Sequence, residues 1–257
     1  MANLLKSDIY RFGKSKLLYA IVTFTGVIAL MLTMLIRQDV RLGISVFGNL
    51  TAFASAGDII RLGAEYHKGL GILAAILISV FIGQEYQWGT WQNKWITNNS
   101  RMGIYLSKTV ISSAASISLF LIFEIVTLAF SGQVRAIMEN GYFATVVGGA
   151  FVYGALGASI CLLSFAAKNN IASTVICICY IIFSEAFASV IGYVSNFSEN
   201  SSKFIGWIIR HSVYGMSIVL SSASVPKDFT MSIIINSLVI TLLATVVGLM
   251  IFRKSEL

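Results

Sequence analysis

The stretch LLYAIVTFTGVIALMLTMLI, from Leu17 to Ile36, decides the fold of this chain. Its 20 consecutive residues carry no charge, and about 20 apolar residues are what an α-helix needs to cross the hydrocarbon core of a bilayer. The apolar core of a cleavable secretory signal is shorter than this, and no small-residue cleavage site follows Ile36. The stretch therefore predicts a first membrane span that is retained.

Five more apolar stretches follow along the chain. Hydrophobic residues make up 57% of the 257 positions and charged residues only 11%, whereas a soluble domain has about 25% charged residues. We therefore predict an all-α integral membrane protein with a single transmembrane domain over residues 1–257. The predicted spans lie at about 17–36, 69–84, 110–130, 142–167, 171–194 and 231–252.

The residues before the first span have the pattern of an amphipathic helix. Leu5, Ile9 and Phe12 recur at helical spacing, while Lys6 and Arg11 lie on the remaining face. Such a helix binds at the membrane surface with its apolar face in the headgroup region. We predict an interfacial helix over residues 1–16.

The segment 203–225 mixes apolar residues with polar ones and is harder to interpret. A seventh span here would place Arg210 and His211 at mid-depth, where one charge costs about 2.5 kcal/mol or more. The preferred prediction is therefore one or two short external helices before the last span. A re-entrant segment and a seventh span stay open as alternatives.

The distribution of basic residues predicts the orientation. Six spans place both termini on one side, and ten of the 18 Lys and Arg residues lie in the shorter segments of that side. Lys and Arg concentrate in cytoplasmic segments, so both termini are expected in the cytoplasm. These ten are Lys6, Arg11, Lys14, Lys16, Lys94, Arg101, Lys108, Lys168, Arg253 and Lys254.

The net charge of +7 and the three cysteines point to no soluble ligand. The basic residues are spread over segments that flank spans, so anionic lipid headgroups are a simpler partner than nucleic acid. Cys161, Cys177 and Cys179 fall inside apolar stretches and have no metal-ligand spacing. We expect them to be buried hydrophobic residues and expect no metal site.

The segment that follows the second span, residues 85–108, is the most informative part of the sequence. It begins EYQWGT, Glu85 to Thr90, and places Trp88, Trp91 and Trp95 on one face of a possible helix. A belt of interfacial tryptophans explains the indoles equally well. It does not explain the acidic residue or the Gly-Thr pair.

This hexapeptide, the amphipathic first helix, the six spans and a Ser-Arg pair before the third span resemble the type-2 ABC transporter permeases. The chain is most similar to permeases of bacteriocin and lantibiotic immunity and to phenol-soluble modulin-like exporters. The resemblance implies a bacterial plasma membrane and a cytoplasmic docking segment, residues 85–108, for an ABC ATPase. It implies docking roles for Glu85, Trp88, Gly89, Thr90 and Arg101.

No phosphate-binding loop occurs in the chain. That loop needs Gly-x-x-x-x-Gly-Lys-Ser/Thr, and the sequence Gly13-Lys14-Ser15 has Asp8 in place of the first glycine. The chain is therefore not expected to be an enzyme. ATP and Mg are expected in a separate ATPase subunit.

Glu124 and Glu185 are the carboxylates that lie well inside apolar stretches. A buried charge in a span is costly unless it is paired, hydrated or protonated, so each is a candidate for the substrate path. A structural role, through bonds to polar neighbours, is the alternative.

These observations together predict a permease subunit that exports amphipathic or antimicrobial peptides, as a homodimer or paired with a similar permease. Two alternatives stay open: an ion-coupled secondary transporter, and a membrane sensor or scaffold subunit that transports nothing. Broken helices and coordinating polar groups at mid-membrane would favour the first alternative.

Overall fold

A computed structural model of the chain describes residues 2–38, 42–46, 49–53, 55–90, 100–139, 142–195, 199–222 and 227–254. Six helices of this part are long and apolar enough to cross a membrane, which confirms the predicted all-α membrane fold with six spans. The helices are α1 (Ala2–Gly13), α2 (Lys16–Arg37), α3 (Ala56–Ala64), α4 (Leu70–Gln87), α5 (Arg101–Phe130), α6 (Val134–Glu139), α7 (Tyr142–Ala167), α8 (Asn170–Ser195), α9 (Glu199–His211), α10 (Val213–Ser221) and α11 (Lys227–Lys254).

The six spans are α2, α4, α5, α7, α8 and α11. Because they cross six times, α2 begins and α11 ends on the same side of the membrane. We call this the terminal side, and the other the opposite side. The short helix α1 precedes α2 on the terminal side, as the amphipathic pattern predicts, and a break at Lys14–Ser15 separates the two helices.

The third span is longer than predicted, because α5 begins at Arg101 rather than near residue 110. Ser100 caps this helix: its hydroxyl accepts a hydrogen bond from Gly103 N at 3.1 Å. Residues 101–108, which the sequence assigns to the docking segment, therefore form the first two turns of the third span. Lys108 was expected to precede the span on the cytoplasmic side, but it is fully buried and ion-paired.

The opposite side carries elements that were not predicted. Strands β1 (Leu42–Val46) and β2 (Asn49–Phe53) form an antiparallel hairpin. Helix α3 then begins with a capping box between Ser55 and Asp58, and a short 3-10 helix, Tyr66–Lys68, leads into α4. Most residues of α3 are buried, because this helix packs against α5 and α10.

The segment before the last span forms two short helices, α9 and α10, joined at Ser212. They have 13 and nine residues, so neither can cross a bilayer, which confirms the prediction of short helices there. Helix α10 packs on α7 and α3 and closes the opposite end of the helix bundle.

Helix α7 lies at the centre and packs mainly against α5 and α11. Its glycines allow this close approach. A methyl group at Gly149 would collide with the Phe120 ring, and one at Gly157 would lie 2.5 Å from the carbonyl oxygen of Ser112. Small residues let helix backbones approach closely in a membrane, so these glycines serve packing within one chain.

Candidate functional site

A group of buried charges joins three helices on the terminal side. Lys108 of α5 donates to Asp8 of α1 at 2.9 Å and to Glu85 of α4 at 2.7 Å. The side chains of Lys108 and Glu85 are fully buried, and that of Asp8 is 2% exposed. Arg11 of α1 also pairs with Glu85. We call Asp8, Arg11, Glu85 and Lys108 the ion network.

Neighbouring groups add hydrogen bonds to the network. Ser107 donates to the second carboxylate oxygen of Asp8 at 2.9 Å, and Arg11 donates to the carbonyl oxygen of Phe81 at 3.1 Å. The ring of Phe81 lies 4.1 Å from Lys108 Nζ and 4.5 Å from the guanidinium carbon of Arg11. Both cations thus also contact an aromatic face.

Two carboxylates and two cations give the ion network no net charge. Burying an ion pair is costly, and the attraction offsets this only when geometry and hydrogen bonding are good. With these contacts made, the network fixes α1 against the terminal ends of α4 and α5. Sequence reasoning missed Asp8 and Lys108 as partners, because they are 100 positions apart.

The predicted docking residues differ in how far each is exposed in the structure. Glu85 is buried in the ion network, so its contacts are made within this chain. Trp88 is 63% exposed on the terminal side, next to Gly89 and the partly buried Thr90. Of these positions, Trp88 offers the largest accessible surface. The docking role of each stays a prediction.

Local geometry accounts for the Gly-Thr pair. Gly89 has φ of +62°, a left-handed conformation that favours glycine, and it follows Trp88, the residue that caps the end of α4. The Thr90 hydroxyl donates to the carbonyl oxygen of Glu85 at 3.4 Å. Both residues therefore end α4, which is a structural role independent of any partner.

Arg101 lies at the first position of α5. Its guanidinium donates to the carbonyl oxygen of Arg253 at 3.2 Å and so joins the beginning of the third span to the end of the last. Trp91, Lys94 and Trp95, which the sequence places in the docking segment, lie outside the described residues.

A second charged cluster lies on the opposite side. Glu65 pairs with Lys68 at 2.7 Å, and His67 Nε2 lies 3.7 Å from carboxylate oxygens of both Glu65 and Glu185. His67 is 2% exposed, and neither of its ring nitrogens has a hydrogen-bond partner among the described residues. Thus Glu185, one of the two candidates for the substrate path, lies beside this cluster on the opposite side.

Burial controls the ionisation of the cluster. Desolvation lowers the pKa of His67, and the carboxylates of Glu65 and Glu185 oppose that shift only in part. The Tyr214 ring lies 5.2 Å from the imidazole, and burial raises the pKa of Tyr214 to about 12. His67 is therefore an imidazole held mainly neutral near pH 7.

Glu124, the other path candidate, has a different environment. It is fully buried in α5, and neither side-chain oxygen has a hydrogen-bond partner within the described segments. Its carboxyl group lies against Gly63 of α3, where an added methyl group would collide with it. Glu124 and Glu185 are therefore placed in separate surroundings.

Among the described residues, no group of three or more His, Cys, Asp or Glu side chains is arranged to hold a metal ion. No protein-family model matches the chain, and no curated protein matches it.

Proposed function

We propose that this chain is the membrane-spanning permease subunit of an ATP-binding-cassette exporter. It moves amphipathic or antimicrobial peptides out of the cell or the membrane, with the terminal side in the cytoplasm of a bacterium. A separate ATPase subunit supplies the ATP and Mg. The chain acts as a homodimer or together with a similar permease.

The observation that supports the proposal is the ion network on the terminal side. A permease must transmit movement of a partner below the membrane to its spans, and this requires a rigid connection there. Lys108 connects α1, α4 and α5 at the level where α4 ends and the segment 85–108 begins. Removing one member of a buried pair costs about 3–5 kcal/mol, so the network disfavours arrangements of these helices that separate its members.

The proposed path of force begins at the exposed surface around Trp88. A displacement of this surface is transmitted to the end of α4 at Glu85 and through Lys108 to α5. Arg101 extends the path to the last span through its bond to the carbonyl oxygen of Arg253. In this account Glu85 and Lys108 are positioning residues, and Trp88 lies at the contact with the ATPase.

Co-purification tests the proposal. Tagged chain extracted from its source membranes in mild detergent is expected to retain an ABC ATPase, identified by mass spectrometry and by ATP hydrolysis. Trp88→Ala is expected to reduce the ATPase retained at least fivefold. Trp207→Ala is the matched control, because Trp207 is also exposed, at 58%, but lies in α9 on the opposite side.

The result also separates the proposal from its alternatives. If no ATPase is retained, or if Trp88→Ala and Trp207→Ala behave alike, the exporter assignment is wrong. Glu124, which is buried and lacks a hydrogen-bond partner in the described part of the chain, would then favour an ion-coupled transporter. Loss of proton-driven uptake in Glu124→Gln would support that alternative.

A further inference from the structure

An apolar groove opens on the terminal side between α1, α2 and α5. Its volume is about 490 Å³, and its walls are almost entirely apolar. The side chains that line it include Leu5 and Phe12 of α1, Leu18 and Tyr19 of α2, and Val110 and Ala114 of α5. Tyr19 and Val110 are more than half exposed, so the groove is accessible from the membrane.

The charges around this groove are of one sign. Asp8 and Glu85, the acidic residues described on the terminal side, are both buried in the ion network. Among the charged side chains of the described terminal-side segments, the exposed ones are therefore all basic. These are Lys6, Lys14, Lys16, Lys168 and Arg253.

Two of these lysines lie close in sequence to residues that line the groove. Lys14 and Lys16 flank the joint between α1 and α2, within two residues of Phe12 and Leu18, which line the walls. Lys14 also contacts the ring of Tyr10, with its Nζ 4.9 Å from the ring centre. A pair of exposed cations thus lies at the joint of two helices that line the groove, where an interfacial helix meets the headgroups.

We infer that the groove binds one anionic phospholipid of the terminal-side leaflet. One of its acyl chains occupies the groove, and the phosphate lies between Lys14 and Lys16. Clustered Lys and Arg beside apolar surface attract anionic headgroups, and none of the described residues that line the groove is a carboxylate that would oppose them. This inference needs only the membrane fold and does not depend on the proposed transport function.

The bound lipid would also support α1. The groove shares this helix with the ion network, because Leu5 and Phe12 line the groove while Asp8 and Arg11 pair with Lys108 and Glu85. Filling the groove therefore stabilises the position of α1 that the network requires.

Native mass spectrometry of the purified chain tests this inference. The probes are phosphatidylglycerol and phosphatidylcholine with the same acyl chains, titrated in detergent. The wild type is expected to bind phosphatidylglycerol more tightly, and Lys14→Gln/Lys16→Gln to weaken that binding about 25-fold, or about fivefold for each lysine. Ala114→Phe, which fills the groove and keeps both lysines, is expected to weaken binding of both lipids.

A matched control removes two cations from the same side but away from the groove. Lys168→Asn/Arg253→Gln is expected to bind phosphatidylglycerol like the wild type, and asparagine tolerates the left-handed conformation of Lys168, φ 52°. The inference is wrong if the two lipids bind wild type equally, or if both double variants weaken binding alike. It is also wrong if Ala114→Cys cross-links to a second copy of the chain in bilayers containing phosphatidylglycerol, because a protein then fills the groove.

Discussion

At the scale of single residues, the two clusters of buried charge differ in how completely they are bonded. Lys108 has two carboxylate partners at hydrogen-bond distance, whereas His67 lies 3.7 Å from each of its two carboxylates. A buried group with strong partners stabilises one arrangement of helices. A buried titratable group without such partners changes its contribution to stability when its own protonation changes.

Lys108→Met is expected to lower the free energy of unfolding by about 3–5 kcal/mol, because Asp8 and Glu85 stay buried without their shared cation. Unfolding by dodecyl sulfate in mixed micelles measures this change. Lys6→Met, at an exposed position of α1, serves as the control and should leave stability nearly unchanged.

The triple variant Asp8→Asn/Glu85→Gln/Lys108→Met removes the three fully or nearly fully buried charges together. It should recover most of the lost stability, because uncharged side chains of similar size need no ion pairing. If Lys108→Met is as stable as wild type, the ion network does not hold α1 in place.

His67 makes stability depend on pH. Because its pKa is lowered in the folded chain, the unfolded chain binds the proton more readily below about pH 6.5. The contribution of neutral His67 is therefore complete above that pH and declines as pH falls toward the lowered folded pKa. We expect the unfolding temperature to fall over this range in wild type.

His67→Gln should reduce this acid-side decline, since glutamine has no proton to gain. Thermal unfolding in lipid nanodiscs between pH 7.5 and pH 5, at constant salt, measures both proteins. Equal slopes for the two would show that groups other than His67 control the pH dependence.

At the scale of elements, the beginnings and ends of helices follow local signals that act over a few residues. Ser100 begins α5, Gly89 follows the end of α4, and the capping box of Ser55 and Asp58 begins α3. These signals were present in the sequence. The start of helix α5 at Arg101 was nevertheless not predicted, because Lys108 was treated as a lysine in solvent.

Ser100→Ala is expected to destabilise the chain by about 1 kcal/mol and to increase amide exchange in the first turn of α5, because Gly103 N loses its acceptor. Hydrogen exchange with mass spectrometry detects this change. Ser118→Ala is the control, since its exposed hydroxyl only donates to the carbonyl oxygen of Ala114 within the same helix. Equal exchange in both variants would contradict the capping role.

At the scale of the whole molecule, apolar length predicted the six spans, because a membrane-spanning helix needs no distant partner to be recognised. The amphipathic α1 and the short helices α9 and α10 were also predicted, because their sequence patterns can be recognised without a distant partner. The hairpin of β1 and β2 and the buried helix α3 were not, because their packing depends on surfaces that other elements provide.

The candidate site was predicted only in part. Glu85 was selected from the hexapeptide, but its partners Asp8 and Lys108 are brought to it by tertiary packing. Glu124 and Glu185 were grouped because both are acidic residues in spans. The fold places one beside Gly63 and the other beside His67, a distinction that spacing along the chain does not contain.

The central claim is that this chain moves amphipathic cargo with force from an ATPase bound on its terminal side. Proteoliposomes that contain the purified chain and its co-purified ATPase, with a dansyl-labelled non-lytic amphipathic helical peptide, test it most directly. We predict that the peptide moves across the bilayer only when ATP and the ATPase are both present, and that Lys108→Met abolishes this movement. Peptide movement driven by an ion gradient without the ATPase would contradict the claim.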